Sequence, residues 1–499
     1  MSTAKRLAKN TLYMYARMGI LMLISLYTSR IVLQQLGVDD YGIYNLVGSI
    51  VAMFSSLRTL FSSSTQRFIN YEMGRGNANR LKLVFNMGFS INVIIAVSFV
   101  LLAEIIGYWF LNYKMVIDPS RMFAAKAVFQ FSLASAVISM ITTPFDALVI
   151  AHERMDFFAY FAIFEGVMRL VIVFLLSSFA FDKLIFYGFL QLAVSILVII
   201  LIALFCRKNF QECRFSRCFD KSLFKGMASF AGWNFFGNTA YTIVQNGLNM
   251  VLNVFSGLAA NAARGIAYQV SGALSKAIDS VVTVVSPFCT KTYASGDFGK
   301  MLKMMYVSTK IYFVIQSLIV LPFSILAYQI LYLWLGQVPD YSVGFMQLVL
   351  LHSLIRSIHY PINNLFKSAG ILRNYQIAEL IILSIPLLVA YLLLKAGLSP
   401  YFLFVSVIAT EFINYYAIIR IAAKDVSLPI REYMSKALIP CVFSLVISAG
   451  FFAISLYYKG QTGALIAITA ISMITVSLFF LYAGFSKEER SWLLSIIQK

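Results

Sequence analysis

Apolar runs about 20 residues long recur from one end of the chain to the other, and each is long enough to cross the ~30 Å hydrocarbon core of a bilayer as a helix. Lipid offers the backbone no hydrogen-bond partner, so a helix that satisfies its own peptide groups is the form such a run takes. Composition agrees: the 499 residues are 60% hydrophobic and 12% charged, with mean hydropathy +0.81. A water-soluble domain of that make-up lacks the polar residues to cover its surface. The expected fold class is therefore an all-α, polytopic membrane protein.

Reading apolar windows gives about fourteen transmembrane helices, with limits near 12–33, 41–67, 83–110, 121–150, 157–180, 184–205, 223–253, 258–290, 304–333, 342–366, 374–394, 399–419, 437–457 and 461–484. Lys5, Arg6 and Lys9 precede the first run. That run is too long for a signal-peptide core and no small-residue cleavage site follows it, so the first helix is expected to be retained. The longest hydrophilic stretch is 206–222, too short for a soluble domain.

Net charge is +19, and its distribution argues against a nucleic-acid partner. Even-numbered connections and both termini hold roughly 25 Lys and Arg; odd-numbered connections (Lys114, Arg121, Lys183, Lys395 and Lys459) hold roughly 5. Cytoplasmic loops carry the excess of cations, so both termini are expected in the cytoplasm. Asp40 and Asn261 are then expected outside and position 215 inside. Among the five cysteines, Cys206, Cys213 and Cys218 cluster without CxxC spacing or a nearby histidine, while Cys289 and Cys441 lie near span ends. A zinc site wants both features; free thiols and no metal are expected.

The chain resembles itself at an offset of about 220 residues. "YEMGRGNANRLK" (71–82) returns as "YASGDFGKMLK" (293–303), "LGVDDYGIY" before the second span as "GLAANAARGIAY" before the eighth, and "PFDALVIAHERMDFF" from Pro144 as "PINNLFKSAGILRNY" from Pro361. Two pseudo-symmetric six-helix bundles follow, 1–206 and 223–422, joined by a cytoplasmic linker, 207–222. Two further helices and an amphipathic tail, "SKEERSWLLSIIQK", occupy 423–499. Parallel repeats of this kind place a substrate between the halves.

About ten cationic residues fall inside spans, where each deep charge costs at least ~2.5 kcal/mol. Arg67, Lys126 and Lys310 lie near span ends, within reach of the interface by snorkelling. In the first span Asn10, Tyr13 and Thr28 fall within about 40° of Arg17, whereas Arg30 is about 140° round and near the outer end. Ser55, Arg58, Ser62 and Thr65 share one face of the second span, with Arg58 near the midplane; a structural salt bridge is the competing role. The seventh span carries an amide stripe, Asn234, Asn238, Gln245 and Asn249, with Tyr241 alongside. Such amides either bond neighbouring helices or hydrogen-bond sugar hydroxyls along a path.

In the eighth span Arg264, Tyr268, Ser271 and Ser275 form one stripe; Arg264 has no partner on its own helix, while Lys276 and Asp279 are spaced to neutralise each other. The tenth carries His352, Arg356, His359, Asn363 and Lys367, a basic stripe along its full length. Glu165 and Arg169 are an i,i+4 pair of structural character. Asp146, Asp279, Glu379 and Glu411 are candidates for a coupling ion. No nucleotide loop, metalloprotease helix or nucleophile elbow occurs. The chain is expected not to be an enzyme, to need no cofactor, and to draw on an ion gradient or membrane potential.

"LAKNTLYMYARMGILMLISLYTSRIVLQQLGVDDYGIYNLVGSIV" (7–51) resembles the first helix pair of Wzx-type polysaccharide and O-antigen flippases of the multidrug/oligosaccharidyl-lipid/polysaccharide (MOP) exporter superfamily, and "FKSAGILRNYQIAE" (366–379) resembles their connection between spans 10 and 11. The span count and repeat plan carry the resemblance over the whole chain, and lipid II flippases and MATE transporters share the plan. The resemblance implies a two-lobed bundle working by alternating access, and a polyprenyl-pyrophosphate-linked oligosaccharide (O-antigen, capsule or exopolysaccharide repeat) moved from the cytoplasmic to the periplasmic leaflet. It implies arginines of spans 1, 2 and 8 in a cationic cavity, matched here by Arg17, Arg58 and Arg264, with a groove at spans 13 and 14 for the lipid tail. Lys276, Arg356, His352 and His359 extend that set; Asn234, Asn238, Gln245, Asn249 and Asn363 form the glycan path. Membrane lipids, H+ or Na+ and glycan-assembly proteins are the expected partners of a monomer. An ion-coupled multidrug antiporter of the same superfamily is the alternative, though it wants acidic cavity residues. A membrane glycosyltransferase or polymerase wants a large catalytic loop.

Overall fold

The computed structural model describes residues 3–113, 118–176, 182–214 and 219–491, and every regular element among them is helical. The helices are α1 (Thr3–Arg75), α2 (Ala78–Tyr113), α3 (Met122–Ala151), α4 (Met155–Leu175), α5 (Lys183–Asn209), α6 (Lys221–Ala294), α7 (Phe298–Ile325), α8 (Ala327–Leu335), α9 (Ser342–Ser357), α10 (His359–Ala369), α11 (Arg373–Lys395), α12 (Tyr401–Asp425), α13 (Ile430–Tyr433), α14 (Ile439–Tyr457) and α15 (Thr462–Phe479). Among the described residues, nine helical stretches are long and apolar enough to cross a membrane.

At 73 and 74 residues, α1 and α6 are too long for one crossing; at 1.5 Å per residue each would run ~110 Å. Each is broken at one glycine, Gly37 (φ 79°, ψ 171°) and Gly257 (φ 76°, ψ −174°). Positive φ with extended ψ is a region only glycine enters at low cost. The result is two arms per helix, 3–36 and 38–75, then 221–256 and 258–294. With α2 to α5, α7, the α9–α10 pair, α11, α12, α14 and α15, the described residues form fourteen membrane-length segments, as expected. The break between α9 and α10 has its own cause: Pro361 cannot donate to the Ser357 carbonyl and its ring crowds it.

The repeat is written into the backbone. Gly37 and Gly257 are 220 residues apart (257 − 37), as are the positive-φ turn residues Gly76 and Gly296 (296 − 76). Asn77 and Asp297, again 220 apart (297 − 77), each cap the next helix by accepting from a backbone N–H three residues on, Arg80 and Lys300, both at 3.0 Å. Further along the offset is 217. Glu153 (φ 58°) and Gly370 (φ 78°) close their helices with matching bonds, Arg154 N–H to Val149 O (3.1 Å) and Ile371 N–H to Phe366 O (3.2 Å). These are helix-ending left-handed turns.

Gly257→Ala is expected to destabilise the protein by about 1–3 kcal/mol through φ alone, because nothing lies within 4 Å of the added Cβ. Gly265→Ala, in regular helix with equally open space, is the control and should be neutral or better. Thermal unfolding in detergent compares them, and equal midpoints would remove the strained turn from the account.

The chain divides into two compact units, Lys9–Gly232 and Trp233–Lys499 with Met1–Ala8. The division falls within the first arm of α6, which runs unbroken past the linker. The second unit also takes in the last two spans, whose α14 and α15 pack on α7.

In the first unit, α2, α3 and α5 bury Phe99, Phe129 and Tyr187 in one core, and Phe85, Phe145 and Cys206 in another. The linker docks there: His152 stacks on Phe210 with ring centroids 4.0 Å apart, and its Nε2 meets Glu212 Oε1 at 2.5 Å. Burial alone would raise the Glu212 carboxyl, but His152 and a backbone N–H hold it below its ordinary value. At the opposite ends of these helices Arg121 joins Asp40 to Asp182. The second unit is built on Leu252, Phe313, Leu350, Phe404 and Phe480. On α2, Ile94, Val97, Leu101, Ile105 and Tyr108 recur every three or four residues and all are exposed. An apolar stripe facing outward suits lipid and would be costly in water. Cys206, Cys213, Cys289 and Cys441 are buried free thiols; Cys218 lies outside the described residues.

Candidate functional site

Each unit encloses its own polar cavity, and repeat-related positions line the two. In Lys9–Gly232 the cavity is about 500 Å³ and is bounded by Arg17, Ser139, Asp146, Glu165, Arg169 and Gln191. Arg169 and Glu165 pair at 2.7 Å, as their i,i+4 spacing predicts. The Arg17 guanidinium lies 4.6 Å from the Phe158 ring centroid, and its Nε is buried without a hydrogen bond. Arg17 thus shares a cavity with two carboxylates of its own unit.

In the second unit the cavity is about 280 Å³, bounded by Asn234, Asn238, Tyr241, Arg356, Asn363 and Glu379, with Lys367 on the same wall. The repeat relates the two linings: Ser139 to Arg356 and Asp146 to Asn363 (offset 217), Ala162 to Glu379 (217), and Arg17 to Gly237 (220). The helices are reused and the charges are exchanged. The first cavity holds Arg17 of the first span beside the Arg169–Glu165 pair, whereas the second holds Arg356 of α9 and Lys367 of α10.

Arg356, in the basic stripe expected on the tenth span, faces carboxylates of two other helices. Its Nη2 donates to Glu379 Oε1 at 3.0 Å and its Nη1 to Glu411 Oε2 at 3.1 Å. Glu411, 1% exposed, also has His352 Nε2 at 3.4 Å and His359 Nδ1 at 3.5 Å; His359 Nε2 reaches the Tyr375 hydroxyl at 3.1 Å. Two carboxylates therefore answer the cation, and four helices (α9 to α12) meet at one buried network. Glu379 and Glu411, expected as ion-coupling candidates, are both engaged by Arg356.

Arg264 is different. Its Nη1 donates to Asn249 Oδ1 at 3.1 Å, and its Nη2 to Gln245 Oε1 at 2.8 Å and Gln245 O at 3.1 Å. The guanidinium carbon lies 4.5 Å from the Tyr268 ring centroid. All three acceptors are neutral, and no carboxylate pairs with Arg264 among the described residues, so the charge is held in place without being cancelled there. The amide stripe accordingly splits: Gln245 and Asn249 orient Arg264, while Asn234 and Asn238 line the cavity. A signal for the Arg264 contact lay in the sequence. Asn249 and Arg264 stand 8 and 7 residues either side of Gly257 (257 − 249 and 264 − 257), and an antiparallel hairpin sets such positions opposite each other.

Lys276 and Asp279 are both exposed and form no ion pair with each other among the described residues. Lys310 does not snorkel: it is 2% exposed and meets Glu489 Oε2 at 2.5 Å. The side chains of Arg30, Ser55 and Arg58 lie outside the described ones.

No protein-family model and no curated protein sequence matches the chain. Solved structures do. An outward-facing multidrug-resistance MATE transporter of the MOP superfamily superposes with TM-score 0.70 at 14% identity, over 85% of this chain and 99% of that one. The fold is the MATE fold. A MOP superfamily transporter from Pyrococcus furiosus matches with TM-score 0.69 at 13% identity over 85% and 99%; its description reports a binding pocket of reversed polarity and suggests a different function. A MATE structure in complex with MaL6 matches at TM-score 0.67 and 14% identity over the same shares. At these identities the likeness extends to the fold alone.

Proposed function

We propose that this chain is a flippase that carries a polyprenyl-pyrophosphate-linked oligosaccharide from the cytoplasmic to the periplasmic leaflet by alternating access, driven by an ion gradient or the membrane potential. Arg264 carries this reading: a buried guanidinium fixed by neutral amides is ready for an anion. An intramembrane charge without a counter-charge is costly and marks function. Pyrophosphate supplies clustered negative oxygens that a planar guanidinium binds through paired hydrogen bonds. The isoprenoid stays in lipid while the head group crosses, and amides such as Asn234, Asn238 and Asn363 suit sugar hydroxyls. Arg17 and Arg58 are carried as further candidates for the anion by the resemblance to Wzx-type flippases. Asp146, which lines a cavity with Arg17, is a candidate to carry a coupling proton or Na+. The protein acts as a monomer in the bacterial inner membrane with both termini cytoplasmic.

The multidrug antiporter has the same fold and is separated by phenotype. Depleting the protein is expected to abolish the surface glycan and to accumulate its lipid-linked precursor on the cytoplasmic side, with drug tolerance unchanged. Unaltered surface glycan with raised sensitivity to cationic drugs would assign the chain to drug export instead.

A further inference from the structure

The start of α7, the turn from α13 into α14 and the segment after α15 enclose a groove of about 1130 Å³ in the second unit. Its inner wall is apolar, with Phe288, Val307 and Pro440. Its rim carries five lysines, Lys300, Lys303, Lys310, Lys436 and Lys487, against three glutamates, Glu432, Glu488 and Glu489. Two of the lysines are committed. Lys436 pairs with Glu432 at 2.7 Å, and buried Lys310 is tied to Glu489 and to the Gly484 carbonyl (3.3 Å). Those bonds hold the segment after α15 against α7 and form the floor of the groove. Lys300, Lys303 and Lys487 form no ion pair among the described residues, and all three are exposed. Only Glu488 is left among the rim acids to oppose them.

The apolar wall continues beyond the groove. From Pro440 the outer face of α14 runs through exposed Ile439, Val442, Phe443 and Val446. A cationic rim opening onto an apolar helical track matches an amphiphile with an anionic head and a hydrocarbon tail. A soluble anion would use the rim and leave the track empty.

We propose that this groove is a binding site for an anionic phospholipid of the leaflet it faces, its phosphate on Lys300, Lys303 and Lys487 and an acyl chain along α14. On the charge bias of the loops that leaflet is the cytoplasmic one. The site does not depend on which solute the protein carries.

Each lysine at an anionic lipid surface is worth roughly a factor of five in affinity, so removing three lowers it about 100-fold. The test uses the full chain in detergent and in phosphatidylcholine nanodiscs, titrated with phosphatidylglycerol and read by native mass spectrometry. The variant Lys300→Gln/Lys303→Gln/Lys487→Gln is expected to lose at least tenfold in phosphatidylglycerol affinity. The control Lys208→Gln/Lys221→Gln/Lys225→Gln removes the same charge from the other unit and is expected to lose nothing. Single Lys303→Gln serves if the triple variant does not insert, with about a fivefold loss. Equal losses in both triple variants, or phosphatidylglycerol binding no tighter than phosphatidylcholine, would overturn the site. So would displacement of the lipid by glycerol phosphate at equal concentration, which would make it a soluble-anion site. Glycan export is not part of the readout, so either proposal can fail without the other.

Discussion

Replacing Arg264 by alanine is expected to cut glycan transport by about 100-fold or more, and Arg264→Lys to keep a fraction of it. Truncating one partner of a buried charged contact costs about 2–5 kcal/mol, or roughly 30- to several-thousand-fold in the affected step. Lysine restores the charge but not the planar fork that two amides now hold in position. A purely structural role for Arg264 makes a different prediction. Substituting Arg264, Gln245 and Asn249 together with leucine removes the charge and both amides that hold it, leaving only the Tyr268 hydroxyl without those partners, and costs less stability than stranding the amides around a lone truncation. If Arg264 only braces the hairpin, that triple variant regains transport along with its stability. If Arg264 binds the anion, the variant is stable and inactive. Export in cells, read beside the thermal midpoint of the purified protein, separates the two.

Glu411→Ala is expected to be the most destabilising single change in the second unit, by about 3–5 kcal/mol, the usual cost of breaking a buried ion pair from one side. Glu411 is almost wholly buried and accepts from Arg356 while two imidazoles lie within 3.5 Å. Its removal leaves Arg356 to Glu379 alone and strips both histidines of their carboxylate. Glu411→Gln keeps the shape and one acceptor, so its loss should be smaller. A fall of several degrees in the thermal midpoint for alanine and a lesser one for glutamine is the expected order. Midpoints equal to wild type for both would show that the network contributes no stability.

Those two sites also show what a linear reading can and cannot reach. Span count and the duplication were legible because their signals are local: apolar length, and a glycine, an asparagine or a proline at a turn. Gly37 and Gly257 even mark the hairpins of both halves at the same offset. The Arg264 contact was within reach, because separations of 7 and 8 residues from Gly257 bring Arg264 and Asn249 opposite each other. The Arg356 network was not. Read along its own helix, Arg356 belongs to a basic stripe; its partners stand 23 and 55 residues away (379 − 356 and 411 − 356) on helices whose rotation no periodicity sets. Lys310 likewise read as a snorkelling residue because Glu489 lies 179 positions on, in a tail that hydropathy places only loosely. The cavity charges follow the same rule: the repeat predicts which positions face inward, not which of them are ionised.

Transport in a purified system tests the central claim most directly. The protein would be reconstituted into sealed proteoliposomes carrying a fluorescent short-chain polyprenyl-pyrophosphate oligosaccharide, with a pH gradient or a membrane potential imposed. Leaflet distribution would be read with an impermeant quencher of the glycan label. The account predicts rapid transfer with the wild-type protein and none above the protein-free rate with Arg264→Ala. Transfer of the lipid-linked glycan at the protein-free rate by the wild-type protein, together with gradient-driven movement of a cationic dye, would contradict it.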